Sequence, residues 1–382
     1  MKLKQLFCVL ALVSMFTIQG QSVPAPQIKG SWGIAFALPF RTDKMDFIDP
    51  ALGQKILEAR NDTKSSLSFY SGALLAIRRL DSLGVKVNPY PVDTQLNGSL
   101  AQSELEALYA EHNIDFLIGP LSDRVLPALS NWSVQRKIPI FLPSIPDAQQ
   151  VNSLMIQGVS KNETLRKQLL DYAKREWKGQ RVTIIHDSEE LNQAQSIAQR
   201  FPNAQKVDAT VNSNRLLEVL TQKMDTVNSN WVFVESANLK TASSVASILS
   251  SQLRFSGHIR LWSPLFTNAF DNDVIDFKQL SDLNYTTSAV QEPLTFVSWG
   301  SQYFTEWAKY PDKIAVRGYD SVMFAVLQLS GLSITSPEGR KFFEWAGVTH
   351  PFNMVQDSRG HQVNQGFVLI ALKDMEWEVI GR

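Results

Sequence analysis

The sequence predicts an α/β fold in two doubly wound units, and three observations carry that prediction. Short segments such as residues 32–39, 138–142 and 231–236 are apolar almost throughout, as strands buried on both faces are. Segments of helical periodicity separate them in regular alternation, which places helices over both faces of a parallel sheet. The alternation resets after Ser144 and then repeats, so one sheet ends and a second begins. In such sheets ligands bind beyond the carboxyl ends of the strands.

The elements follow in order. Residues 32–39 form the first strand. Residues 41–66 are polar and mixed in charge, and are expected to be a long mobile loop. Phe69, Ala73, Ile77 and Leu80 recur at spacings of three and four and predict a helix that ends at Gly84. Residues 85–92 make a strand ending at Asp93-Thr94. Then come helix 104–112, strand 115–119, helix 127–136 and strand 138–142. The second series reads helix 163–177, strand 181–187, helix 190–201, strand 206–211, helix 214–225, strand 231–236 and helix 239–253. Strands 259–263 and 286–290 and helices 299–308 and 315–329 complete it. The tail, 363–380, alternates as a β-hairpin would, with Lys373-Asp374 at its turn.

Composition narrows the function classes. Lys2 and Lys4, a largely apolar run over residues 6–18 and the small Gly20 make the pattern of a signal peptide over residues 1–20. The run is too short to span a bilayer and no later stretch is long enough, so membrane insertion is not expected. Cys8, the only cysteine, lies inside the run behind bulky Phe7, which does not suit a lipid-attachment site. The expected product is therefore exported to the periplasm, cleaved and not lipidated, with no disulfide. Loss of Lys2 and Lys4 takes a formally neutral chain to a net charge of −2. That balance, with no basic run, excludes nucleic acid as an expected partner. No glycine-rich phosphate loop follows a strand, and no Gly-x-Ser-x-Gly elbow occurs. His112, His186, His258, His350 and His361 fall at no metal-ligand spacing. A non-catalytic protein without cofactor or metal is expected.

Several strings, in their order and spacing, carry a resemblance. They are Ala37-Leu38-Pro39-Phe40, Phe69-Tyr70-Ser71-Gly72-Ala73-Leu74-Leu75-Ala76, Ile118-Gly119-Pro120-Leu121, Lys137-Ile138-Pro139-Ile140, Thr183-Ile184-Ile185-His186-Asp187, Trp231-Val232-Phe233-Val234-Glu235-Ser236 and Gly318-Tyr319-Asp320. Together they resemble the type I periplasmic binding-protein fold of the leucine/isoleucine/valine-binding family. The likeness is greatest to a Bacteroidetes branch of amino-acid ABC-transporter substrate-binding or LysM-associated proteins. The resemblance implies two Rossmann-like lobes joined by three crossover segments, near Ser144, residues 291–293 and residues 351–353. Lobe one would then combine 29–144 with 293–352, and lobe two 145–292 with 353–382. It also implies a small polar ligand in the cleft between the lobes and a membrane permease as partner.

Candidate site residues lie at strand ends. Ser122, Asp123 and Ser144 follow two buried strands, and the competing reading is that they cap the next helices. Where amino-acid binders of this resemblance carry a Ser-x-Ala-Thr-like turn, this chain has Ser144-Ile145-Pro146. Where they carry Asp-x-x-Tyr-Gly, it has Asp187-Ser188-Glu189-Glu190, so the aromatic residue is absent and acids stand in its place. Asp187, Ser188 and Glu189 are accordingly candidates, with a cap and a first helical turn as the plainer reading. Arg41 could reach a cleft anion, and a solvated loop arginine is the plainer reading. Trp299, Tyr303, Phe304 and Trp307 lie at helical spacing and are expected in the core. If the candidates line one opening it is acidic, and a cationic or neutral ligand is expected, with weak binding of free branched-chain amino acids. The alternative is a cell-envelope protein, a scaffold or regulator of peptidoglycan metabolism, that kept the fold without an amino-acid site.

Overall fold

The computed structural model describes residues 28, 30–146, 151–210, 213–255, 258–264, 270 and 274–382. The signal-peptide expectation, Cys8 included, lies outside them. Their strands make two seven-stranded sheets.

The first sheet holds β1 (Ser31–Leu38), β2 (Lys86–Asp93), β3 (Phe116–Ile118), β4 (Ile140–Leu142), β5 (Met155–Gln157), β11 (Met354–Gln356) and β12 (Gln362–Asn364), in the order β11-β12-β5-β4-β3-β1-β2. All neighbours are parallel except the β11–β12 hairpin. On β1 the two-residue period sends Ile34, Phe36 and Leu38 to one face and Ala35 and Ala37 to the other. Helices α2 (Asn61–Asp81) and α11 (Lys313–Leu329) cover the first face; α3 (Gly98–Glu111) and α4 (Leu126–Arg136) cover the second. Helices α2 and α11 cross so closely that a Cβ on Gly72 would lie 1.9 Å from the Ala315 carbonyl, and one on Gly318 1.9 Å from the Phe69 carbonyl. Only glycine fits at either position.

The second sheet holds β6 (Arg181–His186), β7 (Gln205–Asp208), β8 (Asn230–Glu235), β9 (Ile259–Ser263), β10 (Thr286–Ala289), β13 (Val368–Lys373) and β14 (Glu376–Gly381), in the order β14-β13-β10-β9-β8-β6-β7. β13 pairs antiparallel with both β10 and β14, and the hairpin turns at Asp374 and Met375, both at positive φ. Ile184, Phe233 and Trp262 pack on one side with α5 (Asn162–Glu176) and α6 (Leu191–Arg200). Ile185, Val232, Val234 and Leu261 pack on the other with α7 (Ser213–Lys223) and α8 (Leu239–Gln252).

Several sequence expectations are corrected. Residues 41–66 are not a mobile loop: they contain a short turn of 3-10 helix, α1 (Pro50–Ala59) and the start of α2. Asp49 accepts from the amides of Ala51 and Leu52, and Pro50 starts the helix, so an exposed helix was encoded in a polar stretch. Short β5 also went unread, and with it the first passage between sheets. The chain leaves the first sheet after Gln157, not near Ser144, because β5 extends that sheet beside β4. It returns to the second sheet after Asn364, not near residues 351–353, because β12 pairs with β5. Helices α9 (Phe277–Asp282) and α12 (Pro337–Ala346) were not anticipated. Of the aromatic stripe, Trp299 and Tyr303 are fully buried in the first core, ahead of and within α10 (Gly300–Trp307), whereas Phe304 is 45 % exposed.

The three passages meet. Val159 from the first, Val290 from the second and Phe367 from the third pack together with Leu165. Asn364 donates to the Gly158 carbonyl at 2.9 Å, and the Glu292 amide donates to the Thr349 carbonyl at 3.2 Å. Buried Asp320 Oδ2 accepts from both the amide and hydroxyl of Thr349 and from the amide and Nδ1 of His350. The first passage leaves β5 at its carboxyl end and the second leaves β10 at its carboxyl end. The junction therefore adjoins the carboxyl edges of both sheets.

Candidate functional site

At the carboxyl edge of the first sheet each strand end is fixed by its own neighbours. Asp93, ending β2, accepts from the amides of Arg41, Thr42 and Gln95 and from the Thr42 hydroxyl. Arg41 is at positive φ, and its guanidinium is engaged by Asp43 and Asp62, so it is a matched loop cation. Beyond β3, Gly119 at φ 121° lets the chain pass the Ala37 carbonyl, which a Cβ would approach to 2.4 Å. Ser122 accepts from the Arg124 amide at 3.4 Å and caps the turn Asp123–Val125 that leads into α4. The capping reading thus holds for Ser122, while Asp123 opens the turn. Ser144, two residues past β4, is half-buried, and its hydroxyl has no hydrogen-bond partner among the described residues.

Sequence reasoning missed Arg317. On α11, its Nη1 donates to the Pro143 carbonyl at 3.1 Å, which places the guanidinium beside the Ser144 turn. A charged residue inside a helix normally reads as solvated, and only its tertiary placement reveals otherwise.

The edge of the second sheet is differently made. Asp187 follows β6 and does not cap the next turn; Ser236 donates to its Oδ2, and Thr241 to its Oδ1 at 3.3 Å. It therefore ties β6 to the end of β8 and to α8. Ser188 is exposed and donates to Asp208 at 3.4 Å, and Glu189 is exposed. Glu235, the last residue of β8, is fully buried and pairs with Arg166 of α5. Arg166 also donates to the Gln193 carbonyl at 3.0 Å and the Ser196 hydroxyl at 3.1 Å. Burial pushes the Glu235 carboxyl up to about 7 against the pull of Arg166, and nearby Glu190 adds to the rise. An acid closing a wholly apolar strand was the available signal for Glu235.

The candidates therefore fall into two groups, Ser122, Asp123 and Ser144 on the first edge and Asp187, Ser188 and Glu189 on the second. Each edge adjoins the junction of the three passages. Among the described residues no three His, Cys, Asp or Glu side chains are grouped as metal ligands would be. No described helix is long and apolar enough to cross a membrane. A recess of about 740 Å³ lies at the opposite, amino edge of the second sheet, bordered by Lys178, Arg260 and Lys278 and by Glu176, Asp282 and Asp374. Its charges are mixed and it is remote from both carboxyl edges.

No protein-family model matches the chain, and no curated protein matches it. Solved structures do. A provisionally assigned branched-chain amino acid ABC transporter protein from Rhodospirillum rubrum superposes with a TM-score of 0.62 at 12% identity, covering 92% of this chain and 100% of that one. An ABC-type branched-chain amino acid transporter protein from Rhodopseudomonas palustris gives 0.53 at 14% identity, covering 92% and 96%. A branched-chain amino acid ABC transporter periplasmic ligand-binding protein from Burkholderia xenovorans gives 0.51 at 12% identity, covering 93% and 95%. Likeness at such identities speaks for architecture, and with the two sheets and their three passages it establishes that this chain has the type I periplasmic binding-protein fold.

Proposed function

We propose that the chain is a non-catalytic solute receptor that closes its two lobes on a small polar ligand and presents it to a membrane permease of an ABC transporter. The observation that carries this reading is the gathering of all three passages in one small cluster, Val159, Val290 and Phe367, beside both carboxyl edges. Three short strands meeting at one place make a hinge, and hinge closure lets a ligand gain contacts to both lobes at once. The similar structures, all of ABC transporter proteins, support the same role. Export to the periplasm without lipidation belongs to this reading, carried by the leader-like pattern of residues 1–20. Ser122, Asp123, Ser144, Asp187, Ser188 and Glu189 are the proposed contact residues. The envelope-scaffold alternative draws no support from the similar structures.

The test is a thermal-shift screen of the purified protein against a library of amino acids, organic acids, polyamines and sugars at millimolar concentration. A bound solute raises Tm by mass action. The expected result is a concentration-dependent rise with at least one small polar solute and little or none with leucine, isoleucine or valine. Those zwitterions need an acid for the ammonium group, and Asp187 is already engaged by Ser236 and Thr241. A flat response across the library would overturn the receptor reading.

A further inference from the structure

Arg317 differs from several other shielded arginines in what it meets; Arg79, which also lacks a carboxylate among the described residues, donates to the Trp345 carbonyl and lies over the Trp345 ring at 4.8 Å. Arg41 meets Asp43 and Asp62, Arg166 meets Glu235, and Arg200 meets Asp171. Arg260 lies over the Trp262 ring at 4.1 Å and donates to Thr286 at 2.9 Å. Among the described residues Arg317 has the Pro143 carbonyl alone; its buried Nε meets no partner there, and no carboxylate there lies within ion-pair distance. Burial pushes the guanidinium below its ordinary range, and no charge among the described residues offsets it. Buried charges in folded proteins are ordinarily matched, because an unmatched one keeps its full desolvation cost.

The surroundings indicate what would match it. Arg317 reaches the carbonyl immediately before Ser144, whose own hydroxyl has no partner among the described residues, at the carboxyl edge where ligands of doubly wound sheets bind. The residue as a whole is half-buried, at the rim of the core beside the Ser144 turn. A guanidinium fork and a hydroxyl together suit a carboxylate, which accepts two parallel bonds from the fork and further bonds from its neighbour. In the facing group Asp187 is held by Ser236 and Thr241 and Glu235 by Arg166, while Glu189 is exposed to solvent.

We propose that Arg317 and Ser144 form a carboxylate subsite, so that the solute is an organic acid. This rests on the receptor reading above and reverses the expectation of a cationic or neutral ligand, which counted the acids of the cleft and overlooked this cation. Mere bracing of the Pro143 turn would use one donor and no charge.

The test uses solutes sharing a five-carbon skeleton, namely glutarate, pentanoate, cadaverine and 1,5-pentanediol, on the wild type, Arg317→Met and Arg317→Lys at constant ionic strength. Glutarate or pentanoate should raise the wild-type Tm, and cadaverine and pentanediol should not. Apparent affinity for the carboxylate should weaken roughly tenfold or more in Arg317→Met and less in Arg317→Lys. The ligand-free Tm of Arg317→Met should equal or exceed that of the wild type, since an unmatched charge has been removed. A carboxylate response unchanged in Arg317→Met, or a ligand-free Tm clearly lowered by it, would overturn the subsite. So would a wild type that answers only cadaverine or pentanediol, which would leave the receptor standing. Silence towards all four overturns the subsite alone if the broader screen finds another solute, and the receptor as well if it finds none.

Discussion

At the carboxyl edge of the second sheet Glu235 is met by Arg166, and Asp187 by Ser236 and Thr241. At the same edge of the first sheet Arg317 has one carbonyl and Ser144 has no partner among the described residues. The two sheets share an architecture, a strand count and a role in the hinge, yet on the second edge Asp187 and Glu235 are each engaged by a neighbour, whereas on the first edge Asp93 and Ser122 are engaged and Arg317 and Ser144 are left over. Groups satisfied internally hold the fold; groups left over at a ligand-facing edge are available to a ligand. Glu235 and the Ser236 bond to Asp187 should therefore govern stability, and Arg317 and Ser144 should govern binding.

The strongest way to break this contrast is Arg166→Met. It leaves Glu235 buried beside Glu190 with no cation, and should cost about 3–5 kcal/mol at pH 8. Chemical denaturation should show a much smaller loss at pH 5, where Glu235 holds a proton.

Glu235 itself makes the wild-type stability depend on pH. Its folded value of about 7 lies above the ordinary 4.5, so the folded state binds the proton more tightly. The cost is absent below about pH 4.5, grows as pH rises and is complete above about pH 7, at roughly 3 kcal/mol. Glu235→Gln should flatten the unfolding free energy between those limits. A slope that survives the substitution would assign it to another group.

Ser236→Ala removes a hydroxyl from the Asp187 carboxylate and should destabilise by about 1–3 kcal/mol. Ser144→Ala should change stability by less than about 0.5 kcal/mol, measured by denaturant midpoint. The same substitution should weaken whichever solute the screen finds. A large stability loss at Ser144 would erase the distinction between the edges.

Much of this architecture was legible because buried parallel strands announce themselves as unbroken apolar runs, and β1, β6 and β8 emerge within about one residue of expectation. Helix α1 was obscured by its exposure, although Asp49-Pro50 was a readable start signal. Strand β5 is three residues long and too short for a periodicity, and missing it displaced the first passage between sheets from its true place after Gln157. The site was half legible. Strand ends located Ser122, Ser144 and Asp187, but their partners Arg124, Ser236 and Thr241 decide whether each is occupied or available, and the latter two are 49 and 54 residues from Asp187. Arg317 was unreadable because nothing in its helix distinguishes a charge bound for solvent from one turned under the Pro143 carbonyl.

The central claim is that a solute draws the two lobes together at the junction of the three passages. X-ray solution scattering of the wild type, titrated with the solute giving the largest thermal shift, tests it most directly. The account predicts a fall in radius of gyration that saturates at one solute per chain. A radius unchanged at concentrations that saturate the thermal shift would contradict it.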